Sequence, residues 1–191
     1  DLIHKVYLQV DLPALGANQK WVNSVGHALI KTVEVEIGGQ RIDKHYGEWL
    51  EIWDELTTTA EKRAGYNQMV GKFEADGSTS GAARTLYIPL QFWFCTNPGL
   101  SLPLIALQYH EVKVTFELRE MQKLVFQNPA SDGATGYVPR THDSTQTHTD
   151  AATDLTTATS NGWNTVITGT TTGQLDATLW VDYIYLDTDE R

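Results

Sequence analysis

Three groupings in this sequence could carry chemistry: a small-residue turn holding hydroxyls, a set of six histidines, and several clustered carboxylates. Gly77-Ser-Thr-Ser-Gly81 has the outline of a nucleophile elbow, the sharp strand-to-helix turn that exposes a serine hydroxyl. Its centre is Thr79 rather than serine, and no strand precedes it with a helix after, so it reads as a loop. None of the histidines stands in a His-x-His or His-Glu-x-x-His spacing, the patterns that offer two ligands to one metal ion. His142 and His148, with Asp143 and Asp150 close by, are a candidate adventitious zinc site; a solvated loop is the stronger reading. His110 falls on the apolar side of an alternating segment with no nucleophile assigned beside it. It is expected to be a core histidine with its hydrogen bonds satisfied. Glu34, Glu36, Glu48, Glu51, Asp54 and Glu55 could supply the two carboxyls a glycosidase sets across a cleft. They occupy outward strand and helix positions, so they read as solvated faces. No Gly-x-Gly-x-x-Gly or P-loop is present, and aromatic residues are not interleaved with basic ones. The expectation is a protein that is not an enzyme, with no catalytic residue, no cofactor and no metal site.

Composition narrows the partners. The chain has 191 residues, enough for one domain with a sizeable core, and a net charge of −10. Phosphates repel such a chain, and no Lys/Arg run reverses this locally, so direct nucleic-acid binding is not expected. The single Cys95 forms no internal disulfide, and no Asn-x-Ser/Thr sequon occurs. No apolar run approaches the roughly 18 residues of a membrane helix.

The elements that must position these residues are mostly strands. From Leu102 to Leu118 the chain reads as one long strand; His110, Val112, Val114, Phe116 and Leu118 alternate with Tyr109, Glu111, Lys113, Thr115 and Glu117. Leu86 to Phe94 reads as its neighbour, joined through Pro and Gly turn residues. Leu2 to Val10 alternates with Val6, Leu8 and Val10 on one face. His27 to Ile37 and Gln40 to His45 flank Gly38-Gly39, a two-residue hairpin turn. Tyr46 to Leu56 changes period: Tyr46, Trp49, Leu50, Ile52, Trp53 and Leu56 share one arc of a helical wheel. Glu48, Glu51, Asp54 and Glu55 fill the other arc. The aromatic arc is expected to be the buried one. Residues 57–84 read as a short helical or irregular piece and a loop. Between Thr141 and Thr172 lie thirteen threonines with few apolar residues, so 127–174 is expected to be an exposed loop insertion. Leu175 to Leu186 closes the domain as a strand. The expected core is Val6, Leu8, Val33, Val35, Val112, Val114, Phe116 and Val181, and the expected fold is an all-β, antiparallel eight-stranded sandwich.

Several stretches carry a resemblance. Ile88-Pro-Leu-Gln-Phe-Trp-Phe-Cys95, Asn97-Pro-Gly99 and Leu102-Pro-Leu-Ile-Ala-Leu-Gln-Tyr-His-Glu-Val112 together resemble the major capsid proteins of large double-stranded DNA viruses, the iridoviruses, phycodnaviruses and marseilleviruses. Asp1-Leu-Ile-His-Lys-Val-Tyr-Leu8, Trp21 to His27 and Trp180 to Arg191 resemble the same family; the likeness lapses over 57–84 and 127–174. The resemblance implies a jelly roll spanning 1–191 that is the N-terminal half of a double jelly roll, with the second jelly roll outside this chain. It implies a homotrimer of pseudo-hexagonal outline tiling an icosahedral virion shell, assembled in the infected host's cytoplasm. Neighbouring capsomers, minor capsid or penton proteins and inner membrane-associated proteins are the partners it implies. The alternative is a jelly-roll carbohydrate-binding or cupin-like module, which needs a metal cluster or an aromatic platform on a sheet face.

Overall fold

A computed structural model describes residues 1–15, 19–72, 82–120, 123–127, 138–139 and 175–186. Strand β1 (Leu2–Leu12) is the centre of the larger sheet. Its alternation buries Val6, Leu8, Val10 and Leu12 and turns Lys5, Tyr7 and Gln9 away from the core. One flank pairs antiparallel with β10 (Asp176–Ile184), from Leu2↔Ile184 to Asp11↔Asp176. The other flank pairs with β5 (Arg84–Pro89) along Tyr7 to Leu12, and with β6 (Leu102–Pro103) at Leu2 and Ile3.

The second sheet has the order β4-β3-β7, built from β3 (Ile30–Ile37), β4 (Gln40–Tyr46) and β7 (Val112–Leu118). Gly38 and Gly39 turn the β3–β4 hairpin at φ +58° and +79°, as their position between two alternating strands predicts. A register shift between Ile30 and Thr32 against β7 places Lys31 in solvent, where it pairs with Glu117. Three short strands, β2 (Gln19–Trp21), β8 (Val125–Gln127) and β9 (Val138–Pro139), form a third sheet. Inward faces of all three sheets meet in one apolar cluster that includes Trp21, Val33, Val35, Leu86, Ile88, Phe92 and Phe94. This is the antiparallel sandwich that the alternation predicts.

Several local expectations are corrected. The long strand at 102–118 is two pieces: Leu104 to His110 is a run of turns, closed by Leu107 N–H on Leu104 O and His110 N–H on Leu107 O. His110 is exposed at the Gly38 turn rather than buried in the core. The strand at 86–94 stops at Pro89, and Trp93–Thr96 form a helical turn, α4. The expected strand at His27 begins only at Ile30, because Val25–Leu29 is the short helix α1. Val6, Leu8, Val33 and Val35 are core, whereas Val112, Val114, Phe116 and Val181 are half-buried and pack on its margin. The reason is position: β7 and β10 lie at the ends of their sheets' strand order. His142, His148, Gly77 to Gly81 and nearly all of the 127–174 insertion lie outside the described residues; its Gln127 and Val138-Pro139 belong to the β8–β9 pair.

Candidate functional site

The densest polar constellation among the described residues joins α1 to α2 (Gly47–Thr57) and α3 (Ala60–Val70). Two glycines bring these helices together. A Cβ at Gly47 would stand 2.2 Å from His27 O and 2.3 Å from Ile30 O, so only glycine lets α2 start against α1 and β3. Gly71, at φ +73°, ends α3 with a left-handed residue and sends Lys72 back toward α2.

His27, 2% exposed, is engaged at both ring nitrogens. As a neutral ring protonated at Nδ1, it donates to Glu51 Oε2 at 2.7 Å and accepts the Tyr66 hydroxyl at Nε2, 3.1 Å away. Burial lowers its pKa and outweighs the hydrogen bond and charge of Glu51, which act the other way. Lys72 Nζ donates to Glu51 Oε1 at 2.8 Å and Asp54 Oδ2 at 3.3 Å, and also to Glu55. Burial works against the ammonium, but the bonds to Glu51 and Glu55 prevail and its pKa is raised. Glu51 is the mirror case: burial raises its pKa, yet the bonds from Lys72 and His27 carry it below the usual carboxylate range. Burial raises the Tyr66 pKa, helped by the charges of Asp54 and Glu51. Arg63 adds a bond to Glu55 at 3.1 Å on the exposed side.

The chemistry open to this cluster is narrow. Glu51, Asp54 and Glu55 bring one oxygen each within 4.8 Å of one another, a spacing a cation could use, and the Lys72 ammonium binds all three. Histidine as a general base needs a free nitrogen facing a nucleophile, and neither nitrogen of His27 is free. The Cys95 thiol, pushed up to about 11 by burial, is a poor nucleophile at neutral pH. What the arrangement does is clamp three helices. Of the carboxylates read as solvated, Glu48 and Glu55 are exposed, but Asp54 is 1% exposed and Glu51 is turned toward His27 and Lys72. The expected burial of the aromatic arc of α2 is overturned as well: Leu50 alone of that arc is fully buried, while Trp49 is 37% and Ile52 51% exposed. The partner that draws the carboxylates inward, Lys72, lies beyond α3 and on no helical wheel drawn for α2.

The outer faces of the two larger sheets differ in kind. On β4-β3-β7, Lys44 and Arg41 pair with Glu34, and Lys31 with Glu117. On β10-β1-β5, cross-strand registration sets Trp180 beside Tyr7 and Tyr87 beside Gln9. Trp180 Nε1 donates to Gln9 Oε1 at 2.7 Å, and Trp180 and Tyr87 are 56% and 42% exposed. This aromatic row is absent from any alternation pattern within one strand, since three strands contribute it.

Comparison with known proteins places residues 1–187 in a family described as the major capsid protein N-terminus. A major capsid protein of Pyramimonas orientalis virus is 44% identical over 196 residues, covering all of this chain and 39% of that protein. One from Paramecium bursaria Chlorella virus 1 is 35% identical, again over the whole chain and 35% of its own length. The chain thus spans well under half of these relatives. Among solved structures, a quasi-atomic model of the PBCV-1 virus capsid superposes with a TM-score of 0.64 at 33% identity, covering 100% of this chain and 37% of that one. The Faustovirus major capsid protein shares the fold, with a TM-score of 0.52 at 11% identity over 72% of this chain and 43% of its own.

Proposed function

We propose a shell-building role from one premise: this chain belongs to the family of major capsid protein N-termini. In this reading residues 1–191 are one jelly roll of a double jelly-roll subunit, and the full-length protein self-associates into an icosahedral virion shell. The finer picture is a homotrimeric capsomer of pseudo-hexagonal outline, touching other capsomers, minor capsid or penton proteins and inner membrane-associated proteins. Assembly would take place in the infected host's cytoplasm. The observation that carries the reading is the superposition on a virus-capsid chain over the whole of this one. Physical features agree with it. A sandwich is a rigid wedge whose surface can be given over to self-complementary contacts. The net charge of −10 argues against direct genome binding. His27, with both nitrogens engaged, has no free nitrogen to act as a base or a metal ligand, in keeping with a structural role.

Light scattering on the full-length protein tests this. A mass of three subunits is the expected result, and a monomer at every concentration would overturn the reading. A carbohydrate-binding jelly roll is the second reading, favoured by one observation, the outward row of exposed Trp180 and Tyr87 with half-buried Tyr7. Retention of a monomeric protein on a polysaccharide column would select it.

A further inference from the structure

Helices α2 and α3 leave the sandwich and come back to it at one place. At the entry, a Cβ on Gly47 would crowd His27 O and Ile30 O; at the far end, one on Gly71 would stand 2.7 Å from Val25 Cγ1. Both ends of the unit therefore rest on the five-residue helix α1 and the residue after it. A segment whose ends share one seat can turn about it without changing the register of any strand.

The unit is thinly buried for its size. Each of its helices has 11 residues, and the apolar side chains they bury fully are Leu50 and Val70. Strand β1, of the same length, buries Val6, Leu8, Val10 and Leu12. Segments with so little apolar burial are the ones that open while the rest of a fold stays closed. The polar bonds fall into two sets. Within residues 47–72, Lys72 binds Glu51, Asp54 and Glu55, and Arg63 binds Glu55 and Thr58 O. Across to the rest of the molecule, Glu51 and Tyr66 bond to His27, and Arg119 bonds to Glu48. The unit is braced within and pinned from outside. Two of its acceptors, Asp54 Oδ1 and Asn67 Oδ1, are buried with no hydrogen-bond partner among the described residues, which disfavours the closed position. Between unit and sandwich lies a cleft of about 340 Å³. Trp53, Tyr66 and Met69 line it from the helices, and Val6, Leu90 and the buried Cys95 from the sandwich.

We propose that residues 47–72 form a flap that swings as one body about its seat on α1, uncovering the cleft and Cys95 while the sheets stay closed. The Tyr66 hydroxyl on His27 is its latch, because it ties α3 to the seat. The test labels the full-length protein with dithiodipyridine, locates the label on Cys95 by peptide mass, and follows backbone hydrogen exchange in parallel. Tyr66→Phe removes the latch and keeps the ring. Cys95 should then label about fivefold faster, the weight of one hydrogen bond in the opening equilibrium. Amides of α2, α3 and β1 should keep their wild-type protection, since a swing breaks no helical bond. Glu48→Gln loosens the Arg119 pin away from the cleft and should give a smaller acceleration. Arg63→Met, whose bonds stay inside the flap, should label as wild type does. Wild-type labelling rates in both pin variants would overturn the flap. So would faster labelling in step with lost protection of α2 and α3, because the helices would then be melting. A Cys95 that reacts only as the β1 amides exchange would overturn it as well, since global unfolding would be the sole route to the thiol.

Discussion

Asp54 is the side chain whose placement needs the most compensation. It is 1% exposed and pairs with Lys72, so removing the ammonium leaves a buried carboxylate without its ion-pair partner. Lys72→Met is therefore expected to cost about 3 kcal/mol, the lower end of the range for breaking a buried pair. Urea unfolding would measure it. Arg63→Met, which removes an exposed bond to Glu55 and a long one to Thr58 O at 3.4 Å, should leave the unfolding midpoint nearly unchanged. His27 gives the cluster a pH dependence whose sign is fixed. Its folded pKa lies below the ordinary 6.5, so the unfolded chain binds more protons as pH falls through that value. The stability from a neutral His27 is present above about pH 6.5 and is lost on acidification. The depressed Glu51 carboxyl adds a loss of the same sign at lower pH. Melting temperatures recorded from about pH 7.5 to 5.5 should decline, and His27→Gln should flatten that decline.

At the scale of elements, the hairpin and the helix clamp make different demands on glycine. Gly39→Ala meets nothing within 4 Å and pays only for a positive φ, about 1–2 kcal/mol. Gly47→Ala sets a methyl against two carbonyl oxygens and should exceed 3 kcal/mol, in the range of severe backbone and packing defects. Equal losses in a denaturation experiment would mean that α2 does not start where it is placed. Phe116→Ala, on the half-buried margin, should cost about 2 kcal/mol, against 3–5 kcal/mol for the fully buried Phe92→Ala. Strands were readable where the alternation was unbroken: Val6, Leu8 and Val10 in β1, Val33 and Val35 in β3, the Gly-Gly hairpin, and Val112 to Leu118. Short helices escaped for a physical reason. His27–Leu29 and Trp93–Thr96 make only a turn or so, and an apolar run that short looks the same as a strand in sequence. The orientation of α2 escaped because a helical wheel ranks apolarity within one helix and contains no term for a lysine arriving from elsewhere.

For the whole molecule, the antiparallel sandwich and the family were legible from the sequence, while the helix clamp and the aromatic row were not, being assembled from several elements. Residues 141–160, rich in Thr, Asp and Ser, offer too few apolar side chains to offset an ordering entropy of about 1–2 kcal/mol per residue. Replacing them with a short Gly-Ser linker should leave the melting temperature nearly unchanged; failure of the variant to fold would place them in the core. The pairing of Leu2 with Ile184 has a consequence in time. These partners are 184 − 2 = 182 residues apart, so at 5–20 residues per second β1 leaves the ribosome roughly 10–40 s before β10 exists. During that interval Val6, Leu8, Val10 and Leu12 are translated but have no completed sheet to join, and non-local closure is slow even afterwards. On a crowded polysome, successive nascent chains hold these bare strands side by side, and their yield depends on whatever keeps them from finding one another before the last strand arrives.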